Sequence, residues 1–510
     1  MSKEIELKLT LSPDQAERLG RHALLASLES KHRHLFNTYY DTPDFALRRR
    51  GVALRLRRIG EHEWVMTVKG GDSGPGGLAS RSEWEKATQP GAFDFSIVGD
   101  EALRTFLLDC APRLQAVFST DFTRQIWTLE QSGACIELVL DQGCVKAGGV
   151  ERQEAICEIE LELLSGDSTD ALFDLAIELS AEFHLHPEVR SKAERGYALG
   201  DGAGSHLPVK AQASTLVPEM PPLEAFRAIA LACVLHLQRN EVGAQQGGDA
   251  EFIHQARVAI RRLRSAFKLF SPVLAPPFVA VYAPRWKTLA ARLGAARDWD
   301  VFLAETLPAF AEVGLQHALP QALRQRVAKA CAEARDDAKA ALSDQEYSRL
   351  LLAFSAALLR EDALAIAVHE PVPRYRTMGL KAFAENRLRR LEKAIEKRGR
   401  WAGGLSEKRR HKLRIDFKRL RYAIDFFLPL LAQKRGRDYQ DVLARLQDIL
   451  GELNDLTTAA RLCEHLSLEA GLSSKLASWL AGEQHRLQTK LEHALLRFKS
   501  SRPPWRRRDA

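Results

Sequence analysis

Carboxylates and cations alternate with apolar residues at strand spacing through the first two hundred residues. Successive side chains of a strand point to opposite faces, so Glu4, Glu6 and Lys8 share one face and Ile5, Leu7 and Leu9 the other. Taken alone, that motif also suits a water-facing strand. It recurs, however. Arg55 and Arg57 alternate with Leu54 and Leu56, and Lys69 shares a face with Val65 and Thr67. Glu83 and Glu85 flank Trp84, Arg124 lies in a run from Phe122 to Trp127, and Glu137 shares a face with Asp141. Glu158, Glu160 and Glu162 share another. Two carboxylates beside an ammonium suit a divalent cation next to a phosphate. All-carboxylate ligands favour Mg2+ or Mn2+, and no His-rich or Cys-rich cluster competes for zinc. Lys and Arg suit phosphate oxygens, Arg through its bidentate fork. Metal and cations around a polyanion is the chemistry of phosphoryl transfer, where positioning and charge stabilisation supply most of the rate. No Gly-x-x-x-x-Gly-Lys-Ser/Thr loop is present, which excludes a P-loop nucleotide site.

These residues need strands to hold them. At least six segments carry one apolar and one charged face, bounded by turn residues such as Gly70-Gly71 and Gly74-Pro75-Gly76-Gly77. Carboxylates dominate some polar faces and Arg or Lys others. A closed antiparallel barrel with a charged lumen accounts for that better than an open sheet, since closure also removes the edges.

Glu4-x-Glu6-x-Lys8, Tyr39-Tyr40-Asp41-Thr42, Arg55-x-Arg57, Lys69, Glu83-x-Glu85, Arg124, Glu137, Glu158-x-Glu160-x-Glu162 and Ser191-Lys192 follow in that order. On them, residues 1 to about 200 resemble the CYTH superfamily, the triphosphate tunnel metalloenzymes. The resemblance implies an eight-stranded antiparallel β-tunnel that binds a triphosphate and divalent metal. It implies metal-side roles for Glu4, Glu6, Glu158 and Glu160, with Glu137 beside them. It implies phosphate contacts from Lys8, Arg55, Arg57, Lys69, Arg124 and Lys192. Glu83 and Glu85 would hold a second metal or orient water, making Glu83, Glu85, Lys8 and Arg57 the expected catalytic set. Glu162 shares the face of Glu158 and Glu160, so which of the three binds metal stays open.

The 510 residues suit two or three domains. Seven scattered cysteines without a Cys-x-x-Cys read as reduced thiols of a cytoplasmic protein. The N-terminus is charged from residue 3 and enters a strand, unlike a signal peptide, and the apolar run from Leu350 to Leu359 is too short to span a bilayer. The net charge of +8 hides an asymmetry: −10 through Asp201 and +18 beyond it. The basic half should seek polyanions.

Beyond a linker containing Gly202, Gly204 and the Pro218–Pro222 region, strand signals end and helical periodicity takes over. His254-x-x-Arg257-x-x-x-Arg261-Arg262-x-Arg264 returns 157 residues later as His411-x-x-Arg414-x-x-x-Lys418-Arg419-x-Arg421. The same offset carries Phe270-x-Pro272 onto Phe427-x-Pro429, Gly294 onto Gly451 and Asp298 onto Asp455. On a helix the four residues 254, 257, 261 and 264 form one stripe about 15 Å long. Each repeat has room for about four helices. On this duplicated motif, residues 218 to 500 resemble the CHAD domain, which implies two four-helix bundles with a basic groove for inorganic polyphosphate. The groove set would be His254, Arg257, Arg261, Arg264, His411, Arg414, Lys418 and Arg421.

The expected chain is α+β: a tunnel over 1–203, a linker over 204–222, and a helical domain over 223–500. Its repeats cover about 223–376 and 377–500, and 501–510 reads as a disordered basic tail. The expected function is a metal-dependent inorganic triphosphatase, releasing pyrophosphate and phosphate, with a helical domain that binds polyphosphate. The alternatives are another triphosphate enzyme on the same tunnel, a thiamine triphosphatase or class IV adenylate cyclase, and a non-catalytic polyphosphate scaffold. No membrane partner is expected. Nucleic acid is disfavoured because no aromatic stacking positions interleave with the Arg stripe. Oligomeric state stays open.

Overall fold

The computed structural model of the chain describes residues 2–510 except 72–73, 149–150, 167, 201–206, 248, 315–319, 361–363, 365–377, 400–405, 432, 467–468, 502 and 506–510. It divides into two compact units, Met1–Pro208 with Asp344–Arg360, and Val209–Ser343 with Glu361–Ala510.

In the first unit, strands β1 (Ser2–Thr10), β2 (Lys31–Asp41), β3 (Val52–Ile59), β4 (Glu63–Gly70), β5 (Leu78–Ala87), β6 (Gln115–Gln131), β7 (Ala134–Ala147) and β8 (Gln153–Ser165) run antiparallel in the order 5-4-3-2-6-7-8-1. Strand β5 also pairs with β1, which closes the eight strands into a barrel. A two-residue strand β9 (His186–Pro187) adds to β1. Helices α1 (Pro13–Leu19), α2 (Ala46–Arg49), α3 (Glu101–Cys110), α4 (Asp170–Leu179) and α5 (Lys192–Gly200) connect or cover the strands.

The alternation read in the sequence decides which side faces in. Leu7, Leu9, Leu138, Leu140, Ile159 and Leu161 pack outward into a core with Leu172, Phe173 and Leu175 of α4. Leu54, Leu56, Met66 and Val68 do the same against Leu103 and Leu107 of α3. With a side-chain period of two, burying these outward residues turns their charged neighbours into the lumen. Cross-strand register then sets the neighbours there: Lys8 opposite Glu160, Glu6 opposite Glu162, Arg124 opposite Asp141, Asp141 opposite Glu158, and Lys69 opposite Glu83.

The first unit also takes a helix from far along the chain. Helix α11 (Gln345–Leu359) places Leu352 and Ala356 in the core shared with β1, β7, β8 and α4. Ser348 Oγ lies 3.0 Å from His184 Nε2 and 2.9 Å from His186 Nδ1. Gly76 has φ +72°, and a Cβ there would overlap the Ser355 side chain, so that turn needs glycine twice over. Gly196 of α5 packs against the Phe118 ring, where a Cβ would also overlap. Gly196→Ala is expected to lower barrel stability by about 1–3 kcal/mol through overpacking; thermal melting of the full chain checks it, and an unchanged midpoint speaks against the close packing.

The second unit is helical: α6 (Pro222–Gln246), α7 (Ala250–Leu269), α8 (Pro276–Val301), α9 (Leu307–Gly314), α10 (Gln321–Leu342), α12 (Leu380–Gly399), α13 (Glu407–Phe427), α14 (Gln433–Glu464) and α15 (Ala470–Ser500). A shift of 157 residues lands Ala250, the start of α7, on Glu407, the start of α13. It also lands Pro276, the start of α8, on Gln433, the start of α14. The duplication seen in the motifs therefore extends to whole helices. Within the expected linker, Val209 is fastened to α6: Asn240 Oδ1 accepts from its N–H at 2.9 Å, and its carbonyl lies 2.9 Å from His236 Nε2. The expectation of a disordered tail needs correction at Trp505. That indole is buried, donates Nε1–H to Glu392 Oε2 at 2.9 Å, and packs edge-on against Tyr439. Arg502 and Arg506–Arg508 lie outside the described residues.

Candidate active site and polyanion groove

The barrel lumen gathers two groups of charge. In the first, three carboxylates from adjacent strands converge on one ammonium from α5. Lys192 Nζ donates to Asp141 Oδ2 at 2.7 Å, Glu158 Oε1 at 2.5 Å and Glu160 Oε1 at 2.9 Å. Arg124 donates from Nε and Nη2 to the two Asp141 oxygens, each at 2.7 Å, and from Nη2 to Glu160 Oε2 at 2.7 Å. Lys8 lies 3.3 Å from Glu160 and 3.6 Å from Glu6. Arg195 donates to Glu158 Oε2 at 2.9 Å and Glu154 Oε1 at 2.8 Å. Burial alone would depress the Lys192 pKa, but Asp141, Glu158 and Glu160 outweigh it and hold it above the usual lysine value. Burial likewise opposes ionisation of Glu160, yet Lys192, Lys8 and Arg124 keep its carboxyl well below the ordinary range.

The second group is less well balanced. Lys69 Nζ donates to both Glu4 oxygens at 2.8 Å and lies 3.1 Å from Glu83. Arg55 lies 3.5 Å from both Glu83 and Glu85, and Thr67 Oγ1 donates to Glu85 at 2.7 Å. Burial pushes Glu83 up to about 7 against the pull of Lys69 and Arg55. Burial, with Glu4, Glu137 and Glu83 nearby, pushes Glu162 to about 7 as well. Glu162 faces Glu6 on one side and Glu137 on the other in the strand register.

Arg57 stands apart. Its Nε–H donates to Asn37 Oδ1 at 2.8 Å, and Asn37 Nδ2 donates in turn to Thr120 Oγ1 at 2.8 Å. Among the described residues Arg57 forms no ion pair. Burial, with Arg55 and Arg124, brings its pKa down to about 9.

A metal fits these donors unevenly. Oxygens of Asp141, Glu158 and Glu160 lie within 4.8 Å of one another, a cluster that could hold a cation. Lys192, Arg124 and Arg195 already neutralise it. Burial leaves Glu83 and Glu162 under-compensated, and Glu4, Glu6 and Glu137 lie beside them, an all-oxygen set of the kind that suits a hard divalent cation.

Three of the lumen's residues escaped sequence reasoning. The sequence places Asp141 only on the face of Glu137. Arg195 lies three residues after Lys192, one helical turn on, and that spacing was available as a signal. Asn37, fully buried and neutral, gave none. Asp41 of the Tyr39-Tyr40-Asp41-Thr42 segment proves to be a clamp. It accepts from the N–H groups of Thr42, Leu47 and Arg48 and from Tyr197 Oη, tying β2 to α2 and to the α5 helix that delivers Lys192.

In the helical unit, the two motif helices bring four of the eight groove residues together. Arg257 and Arg261 of α7 act electrostatically on Arg414 and Lys418 of α13. Arg257 lies 3.5 Å from Asp298, which is 3.6 Å from Arg461. His254 is neighbour to Arg257 and Arg261, and burial with Arg297 pushes it down to about 4. The remaining members diverge. Arg264 groups with Lys268 and Arg419. Arg421 donates to Gln447 at 3.0 Å and lies 3.9 Å from Asp425, while His411 is exposed.

The CYTH domain model matches residues 2–197 and the CHAD domain model residues 228–464. The chain joins a CYTH domain to a CHAD domain. The CYTH domain is similar to an inorganic triphosphatase of Haemophilus influenzae, 38% identical over 206 residues. That match covers 39% of this chain and 56% of the relative, so the chain spans about half the length of the curated protein it matches. The CHAD domain is similar to the crystal structure of the CHAD domain from the plant Ricinus communis, at 34% identity and a TM-score of 0.48, covering 58% of this chain and 96% of that one. HpAC1 from Hippeastrum, described as having a dominant triphosphatase activity, matches at 19% identity and a TM-score of 0.28, covering 37% of this chain and 91% of that one. Among the described residues no helix is long and apolar enough to cross a membrane.

Proposed function

We propose that the barrel is a divalent-metal-dependent inorganic triphosphatase and that the helical unit binds polyphosphate. The observation that carries the reading is the imbalance inside the lumen: Arg57, which among the described residues forms no ion pair and feels Glu85 only at longer range, facing a barrel in which Glu83 and Glu162 lack full compensation. A phosphate chain meets the first need and a divalent metal the second. The similarity to an inorganic triphosphatase supports the same substrate class.

In this reading Arg57, Arg55, Lys8, Lys69, Arg124 and Lys192 grip phosphate oxygens. Glu4, Glu6, Glu137 and Glu162 hold metal, with Glu158 and Glu160 serving Lys192 and Arg195 instead. Bound there, Mg2+ or Mn2+ would polarise a phosphoryl oxygen and acidify a coordinated water. Glu83, lifted to about 7 by burial and not needed as a metal ligand in this reading, would exchange a proton with water near neutral pH. Glu85 stays ionised despite its burial, because Arg55 and Thr67 hold its pKa down.

The deciding assay measures phosphate release from triphosphate, long-chain polyphosphate, ATP and thiamine triphosphate, with Mg2+ and with Mn2+. Triphosphate should be the preferred substrate, giving equal pyrophosphate and phosphate. Preference for ATP or thiamine triphosphate, or no hydrolysis with either metal, overturns the reading. Asn37→Ala should act through Arg57. Loss of the Asn37 hydrogen bond lets the guanidinium wander, with an expected fall in kcat/KM of roughly 10- to 100-fold in an unchanged fold. Steady-state kinetics beside a circular dichroism spectrum would check it, and wild-type kinetics in Asn37→Ala would remove Asn37 from the account.

A further inference from the structure

The duplication places arginine at three of the four central groove positions and lysine at the fourth. Lys418 is the mate of Arg261 at the 157-residue offset. Arginine stays charged in proteins, whereas lysine can release its proton when buried among like charges.

Lys418 sits half-buried in such an environment. Arg261 of α7 is fixed next to it: its Nε–H donates to Tyr422 Oη at 2.5 Å, and Tyr422 follows Lys418 by one turn of α13. The Arg261 guanidinium also stacks 5.6 Å from the Tyr422 ring centre. Arg257 from α7 and Arg414 from α13 complete the cluster, and Arg414 Nε is buried without a hydrogen-bond partner. The carboxylates offer little relief. Asp298 of α8 is shared between Arg257 and Arg461 of α14. Asp455 of α14 acts on Lys418 more weakly than any of the three arginines. Lys418 itself forms no hydrogen bond or ion pair among the described residues. Burial, with Arg261, Arg414 and Arg257, brings it down to about 6. Nearby, Arg297 of α8 is permanently charged, and His254, pushed down to about 4, is neutral above that.

We propose that Lys418 couples the groove to protons: it is uncharged among the three arginines while the groove is empty, and it takes up a proton as a linear polyanion enters. The inference rests on the reading of the groove as the polyphosphate site. An entering chain of phosphates offsets the arginine charges and restores the lysine's hold on its proton. By linkage, protons then favour binding as binding favours protons. Affinity should therefore fall as pH rises from 6 to 8, by up to ~tenfold per pH unit, the limit that one coupled proton sets. Below pH 6 the empty groove already holds the proton and the dependence flattens.

The test is calorimetry of the full chain with long-chain polyphosphate, in the presence of a chelator to prevent hydrolysis. Measured at pH 7.5 in HEPES and in Tris, whose ionisation heats differ, the wild-type protein should take up close to one proton per chain bound. Lys418→Arg keeps the charge and cannot release it, so its uptake should be lower than wild type by close to one proton and its affinity should vary correspondingly less between pH 6 and 8. His411, exposed two turns earlier on α13, is present in both proteins and cancels in the comparison. Binding with equal heats in both buffers, or equal uptake in Lys418→Arg, overturns the coupling and leaves the groove standing. Absence of binding in both proteins at pH 6 overturns the groove itself, and the coupling with it.

Discussion

Replacing Glu4 and Glu6 together by Gln is expected to abolish triphosphate hydrolysis, by at least ~10²-fold in kcat/KM, while the barrel still folds. Both side chains face the lumen, so the apolar packing of Ile5, Leu7 and Leu9 is untouched. Two negative charges leave the carboxylate set beside Glu83 and Glu162, and metal affinity should drop severely, since loss of even an outer partner of a ligand typically costs 10–100-fold. A second effect compounds the first. Lys69, now held by both oxygens of Glu4, would keep only one neutral acceptor there. Activity titrated against Mg2+ and Mn2+ reads the result. Near-wild-type turnover with an unchanged metal midpoint would remove these carboxylates from the metal site.

Lys192→Met should give the largest stability loss in the barrel. The ammonium is buried among Asp141, Glu158 and Glu160, and its removal leaves charge uncompensated at the cost of about 3–5 kcal/mol. For a unit of this size the barrel's melting midpoint should drop by roughly 6–20 °C. Excess Mn2+ should recover part of that loss, because a divalent ion can take the ammonium's place among three carboxylates whose oxygens lie within 4.8 Å. Acid should strip the same stabilisation. Asp141 and Glu160 titrate below their ordinary values in the folded protein, so their contribution is complete above pH ~4, the unfolded carboxylate range, and is lost as pH falls further. A variant melting like wild type would mean that Arg124 and Arg195 suffice to hold the three carboxylates.

How much of this was legible in the chain differs by level. A period-two alternation in β1, β3 and β8 sufficed for a charged-lumen barrel, because a buried face leaves only one orientation for the strand. The 157-residue repeat survives as matched starts of α7 and α13 and of α8 and α14. Grouping inside the lumen was not legible. A sequence shows which residues share a face, whereas Asp141, Glu158 and Glu160 meet through register across two strand pairs and through an α5 lysine arriving from outside the sheet. Asn37 looks like ordinary strand filler until its partner Arg57 appears opposite it on β3. Arg264 and Arg421 share the helical stripe on paper, yet each meets different neighbours, because the partner helix selects which part of a stripe it faces. The run Leu350–Leu359 reads as apolar, and nothing local to it says that its partner is a barrel whose eight strands end some 180 residues earlier.

That last helix sets an order of events on the ribosome. The barrel's strands and α5 are synthesised before residue 201, while Leu352 and Ala356, which complete its core, follow only after more than a hundred further residues. At translation rates of about 5–20 residues per second, the slot for α11 stays open for on the order of ten to thirty seconds. During that interval the nascent barrel offers an apolar surface on β1, β7 and α4 to chaperones or to a neighbouring chain, and its folding finishes only when most of the helical unit's first repeat has emerged.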